Sequence, residues 1–204
     1  MCRGGPFWRA QCAFPVKVGG VKRSLFLTAL LALTLPTALA APASPRTKAQ
    51  QIALLRVQAL AHAAITPATL AVGGRPVTFT VPNDYLYHRD LRVTAYRLDD
   101  FLRARLPDLD ALLARDAAVM LYCADGYAPI ARLRDLVGAG GWIAASSPEV
   151  DADTRWPAVT YKDKPLPAGQ IGYYLVWENH RYPEKPQPWG LVDVDVLPAG
   201  TTVR

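Results

Sequence analysis

The stretch VKRSLFLTALLALTLPTALA, residues 21–40, limits what the rest of the chain can become. Lys22 and Arg23 open it with positive charge, and LFLTALLALTL is an uninterrupted apolar run. Pro36 ends the run, and Ala38-Leu39-Ala40 offers the small residues that a signal peptidase cuts behind. The pattern reads as a secretory signal, and its apolar core is short for a membrane span. We therefore expect residues 1–40 to be a leader, with the signal peptide at 21–40, and the mature protein to be periplasmic or secreted. The twenty residues before the signal are unusual for its start, and Val21 is a candidate alternative start of translation.

Cleavage after Ala40 leaves 164 of the 204 residues, enough for one domain with a real core. It also removes the basic character. Of the 23 Lys and Arg residues, Arg3, Arg9, Lys17, Lys22 and Arg23 belong to the leader, leaving 18 against 17 acids. Charge therefore gives no case for a nucleic acid or membrane-surface partner, and no membrane span is expected after cleavage. Cys2 and Cys12 leave with the leader, so Cys123 is the only thiol of the mature chain. One cysteine forms no internal disulfide; it must be buried, bind something, or react.

Residues 41–69 read as a flexible segment followed by an N-terminal helix, and residues 70–204 as the folded domain. In Ala49–Ala64, Ile52, Leu55, Ala59, Leu60 and Ala63 recur at helical spacing, which puts His62 at a helix surface. RPVTFTV and LRVTAY alternate and are β-branched, so each reads as a strand. RLDDFLRARLPDLDALLAR reads as helix, a break at Pro107, and helix again. AAVMLYC is a continuous apolar run suited to a buried strand, and Asp125-Gly126 marks a turn. IARLRDLVG reads as a short helix, GWIAASS as a strand, and Pro148–Gly169 as a long surface loop. IGYYLVW is the strongest strand signal, and LVDVDVL closes the chain as a half-exposed strand with Asp193 and Asp195 outward. Strands outnumber helices and the two are interspersed, so the fold class is α+β and strand-rich, with short helices.

The order of YRLDDFLRARL, a buried strand running into CADGYAPI, an apolar YYLVW strand and PWGLVDVDV resembles the oxidoreductase molybdopterin-binding domain, the sulfite oxidase-like fold. The likeness spans about residues 75 to 197. In that family the cysteine of the matching turn binds molybdenum through its thiolate. The resemblance thus implies Cys123 as metal ligand, with Asp125, Gly126 and Tyr127 at the floor of a cofactor pocket. His180 and Arg181, in the loop after YYLVW, are implied as further cofactor-binding residues. The chain departs from the family in being pared down: between Gly126 and Trp177 its Arg and Lys residues form no recognisable cradle for a pterin phosphate. A general secretory signal also threads the chain unfolded, which conflicts with export of a cofactor inserted beforehand.

Several readings of these residues stand open at this level. Cys123 is a buried thiol at a strand end, a molybdenum or other metal ligand, or a redox or nucleophilic thiol with His88 or His180 as base. Asp125 to Tyr127 form either a plain turn or a ligand-facing loop. The favoured expectation is an exported binding or accessory module without cofactor, with a periplasmic redox protein or a small ligand as partner. The enzyme alternative is a small molybdopterin-dependent oxidoreductase, and a weaker one is a thiol-dependent enzyme. Catalytic residues are not assigned.

Overall fold

The computed structural model describes residues 46–179 and 184–202. The leader 1–40 with its signal, and the loop residues His180 and Arg181, lie outside the described residues. In chain order the elements are α1 (Lys48–Val57), β1 (Ala61–Ala64), α2 (Pro67–Gly73), β2 (Val77–Val81), β3 (Leu91–Arg97), α3 (Leu98–Arg105), α4 (Leu109–Ala114), β4 (Ala118–Cys123), β5 (Ile130–Arg132), α5 (Leu133–Leu136), β6 (Gly141–Ser146), β7 (Val159–Tyr161), β8 (Lys164–Leu166), α6 (Ala168–Ile171), β9 (Tyr174–Trp177) and β10 (Leu191–Leu197). One antiparallel sheet runs β1-β10-β4-β5, a second runs β2-β3-β6-β9, and β7 and β8 form a separate hairpin. This is a mixed α+β, strand-rich fold with short helices. Among the described residues no helix is long and apolar enough to cross a membrane.

Strand alternation divides the side chains among three apolar clusters. The largest joins Val119, Leu121, Val194 and Val196 of the first sheet to Ile143, Leu175 and Trp177 of the second, with Leu98, Phe101 and Leu102 of α3. The opposite face of the second sheet, carrying Val93, Trp142, Tyr174 and Val176, is covered by Leu86, Tyr87 and Trp156. The opposite face of the first sheet, carrying Met120 and Leu197, is covered by Ile52 and Leu55 of α1. Each fully buried large side chain contributes about 1.5–3 kcal/mol relative to its exposed state.

Local chemistry explains most boundaries. Thr47 and Gln50 cap α1 reciprocally, and Thr66 with Thr69 does the same for α2, where Pro67 occupies the first turn. α3 ends ahead of Pro107 as expected. The loop between β2 and β3 is pinned by Asp84, whose carboxylate accepts from the backbone N–H groups of Leu86 and Tyr87 and from the Tyr174 hydroxyl, at 3.0, 2.9 and 3.0 Å. Burial pushes that carboxyl above its ordinary value, and the three donors offset part of the desolvation cost.

Four local expectations change. The helix expected to reach Ala64 stops at Val57, because residues 61–64 pair with β10, and the partner strand overrides the helical preference of alanine. The first three residues of IARLRDLVG form β5 along the edge of β4. The stretch expected as one surface loop contains the β7–β8 hairpin and a buried Trp156, whose indole N–H donates to the Gly172 carbonyl at 3.0 Å. Asp195 is 1% exposed, not outward, because α1 lies over that face of the sheet.

The covered acids hold α1 down. Arg56 of α1 reaches Asp193 Oδ2 at 2.5 Å and lies 3.1 Å from Asp195 Oδ2, with its guanidinium 4.3 Å from the centre of the Tyr122 ring. His62 Nδ1 meets Asp195 Oδ1 at 2.5 Å from the neighbouring strand. Arg56→Met strands the buried carboxylate with only a half-exposed imidazole beside it. We expect a loss of about 2–3 kcal/mol in urea unfolding, largely restored in the double variant Arg56→Met/Asp195→Asn. A single-variant loss under 0.5 kcal/mol, the range of an ordinary surface change, would show that the cluster does not hold the helix.

Candidate functional site

β4 ends at Cys123 and the chain reverses at once. The Cys123 N–H donates to the Tyr127 carbonyl at 2.9 Å, and the Gly126 N–H donates to the Cys123 carbonyl at 3.0 Å. Asp125 Oδ1 accepts from the Tyr127 N–H at 2.8 Å, so the aspartate side chain helps close the turn. Gly126 takes φ +83°, a conformation that L side chains rarely adopt. The Ala124 N–H then donates to the Gly190 carbonyl at 2.8 Å, tying the turn to the start of β10.

The Cys123 side chain is 0% exposed and packs into the main core with Leu121, Leu191 and Val194. Its sulfur lies 3.9 Å from the Leu121 carbonyl. Burial, reinforced by the negative charge of Asp125, pushes the thiol up to about 12. The resting group is therefore a protonated thiol, and the charge nearest it opposes thiolate.

Asp125 and Tyr127 face elsewhere. With three other loops they line a cleft of about 390 Å³. The β2–β3 loop supplies Tyr85, the β7–β8 turn supplies Tyr161 and Lys162, and the connection from β9 to β10 supplies Gln187, Pro188 and Trp189. Tyr161 and Trp189 meet edge to face, with ring centres 4.8 Å apart at 72°. Lys162 Nζ lies 5.2 Å from the Tyr161 ring centre. Lys162 and Asp163 both have positive φ, 51° and 61°, forming a two-residue turn of the kind usually built from Asn-Gly. Gln187 is 7% exposed, and its Oε1 has no hydrogen-bond partner among the described residues. Two larger hollows are less suggestive. One follows the β5 edge, and the other borders Arg155, whose guanidinium is already bonded to the Ala145 carbonyl.

The structure thus separates residues that the resemblance joins. Asp125 and Tyr127 line the cleft and Gly126 shapes its turn, whereas Cys123 points into the core. His180 and Arg181 lie outside the described residues. Molybdopterin held by Cys123 needs a thiolate that reaches the pocket, and cations around its phosphate. The thiol is instead sealed in apolar side chains, and Lys162 is the one cation among the described residues lining the cleft. The described residues do not fit the cofactor. Among the described residues no group of three or more His, Cys, Asp or Glu is placed to hold a metal ion. Sequence reasoning passed over Tyr85 and Tyr161 and weighed Lys162 only as a cation for a pterin phosphate; the signal was an aromatic residue beside turn-forming ones in YKDK. No family model, curated protein or solved structure matches the chain.

The raised thiol gives a pH prediction. Unfolded protein ionises Cys123 near its ordinary value of 9.0, while the folded protein resists until about 12. Above pH 9 the unfolded state binds fewer protons, so stability falls as pH rises through that window. We expect wild type to lose more stability between pH 8 and pH 10.5 than Cys123→Ala, measured by urea denaturation at each pH. Equal slopes would place the thiol in contact with water.

Proposed function

We propose that the chain is an exported small-ligand-binding module, a reduced member of the sulfite oxidase-like molybdopterin-binding type that works without the cofactor. The order of the α3 helix, the buried β4, the Cys123–Tyr127 turn, β9 and β10 supports the family reading. The separation of Cys123 from Asp125 and Tyr127 carries the functional one: the thiol that would bind a metal sits in the core, while the turn beyond it borders an aromatic cleft. Four loops from separate strand ends converge there, a common way for a rigid scaffold to present a binding site. The cleft volume suits a ligand of modest size. Its tyrosine and tryptophan rings supply contact area, and Asp125 and Lys162 supply orientation.

The test is metal analysis of the full chain purified from an exporting host that makes molybdenum enzymes, beside Cys123→Ser. Folded protein without stoichiometric molybdenum, and a variant with the same ligand-binding behaviour as wild type, are the expected results. Near one molybdenum per chain, lost in Cys123→Ser, would overturn the reading in favour of a small molybdenum oxidoreductase.

A further inference from the structure

We propose that the cleft beside the Cys123–Tyr127 turn binds a compact organic ammonium ion, and that the side chain of Lys162 occupies the cation position when the ligand is absent. The inference rests on the binding-module reading and specifies its ligand class. It follows from the sign of the groups that line the cleft. Asp125 brings a carboxylate, and Gln187 brings an amide oxygen with no partner among the described residues. The rings of Tyr85, Tyr161 and Trp189 line the same cleft, and the π faces of such rings are negative. Among the described lining residues only Lys162 is positive, and its ammonium lies 5.2 Å from the Tyr161 ring centre, within the range of a cation–π contact.

The ring geometry favours a cation over a flat ring system. Tyr161 and Trp189 stand at 72° to each other, so they form a corner and not a parallel slot for stacking. A corner of aromatic rings closed by an acid is the arrangement that holds a methylated ammonium, whose charge is spread over weakly hydrated methyl groups. A lysine ammonium is more strongly hydrated and held by a flexible stem. Lys162 is exposed and sits at the tip of the β7–β8 turn, so it can swing out to solvent. Displacing it costs one weak contact, and the incoming cation regains that contact together with Asp125.

Titration calorimetry on the full chain tests this with choline, its neutral isostere 3,3-dimethylbutan-1-ol, glucose and benzoate. Choline is expected to bind about 10-fold more tightly than the isostere, the difference that a cation–π corner with a partial counter-charge provides. Asp125→Asn keeps the acceptor that closes the turn but removes the charge, and is expected to erase that preference. Lys162→Asn suits the positive φ, removes the tethered competitor, and is expected to tighten choline binding. Tyr161→Leu is expected to weaken choline by about 3- to 30-fold. Equal binding of choline and its isostere, or weaker choline binding in Lys162→Asn, overturns the inference. If choline fails but glucose or benzoate binds, and Trp189→Leu abolishes that binding, the ammonium inference falls and the cleft remains a binding site. If no probe binds in a way that Trp189→Leu changes, both readings fall.

Discussion

The pairing of β10 with β4 is the constraint on which the rest of this structure depends. Leu191 stands opposite Cys123, Val194 opposite Leu121, and Val196 opposite Val119, and all six side chains enter the core between the sheets. The alternate positions, Tyr122, Asp193 and Asp195, then have to emerge on the other side. There the acids would meet only apolar neighbours were it not for Arg56 of α1 and His62 of β1. The same register thus seals the thiol, creates a polar cluster under a helix, and sets where the turn after Cys123 begins. A slip of one residue would turn Cys123 and the valines towards α1 and drive Tyr122 and the acids into the core between the sheets.

The cleft is a consequence of strand ends, not of any one motif. β4 delivers the Asp125–Tyr127 turn, and Gly190 delivers Trp189 beside it. Gly190 holds φ +67°, and an added Cβ there would lie 3.1 Å from the Gln170 carbonyl. Its N–H also donates to the Ile171 carbonyl at 2.6 Å, so the chain entering β10 is fixed from both sides. The loop carrying Tyr85 is anchored by the buried Asp84, and the hairpin carrying Tyr161 closes in a two-residue turn. Segments fastened at their described ends can place rings side by side without a large domain. A small protein with a sealed thiol can in this way keep an open cleft at the end of its sheets.

Much of the framework was legible from residues alone. β-branched alternation marked β2 and β3, Pro107 separated α3 from α4, and the AVMLYC run marked β4. The site was only half legible. Asp125-Gly126 announced a turn, but a continuous apolar strand has no alternation to show which way its last residue points, so the direction of Cys123 depended on the β10 register. Asp193 and Asp195 alternate with valines, which tells that they share a face but not that α1 covers it. β1 was hidden because Ala61–Ala64 favours helix when no partner strand is in view. The aromatic corner pairs Tyr161 with Trp189, 28 positions apart, and periodicity cannot report a contact between two loops.

The central claim is that Cys123 is a core residue and that the cleft beside it works without the thiol. Peptide-resolved mass spectrometry of alkylation by iodoacetamide at pH 8, on the native full chain and in urea, tests it most directly by separating Cys123 from Cys2 and Cys12. The account predicts that Cys123 in folded protein reacts only through global unfolding, so that its rate rises with urea in step with the unfolded fraction. Reaction of folded protein at the rate of a free thiol would contradict it and bring Cys123 back to the cleft.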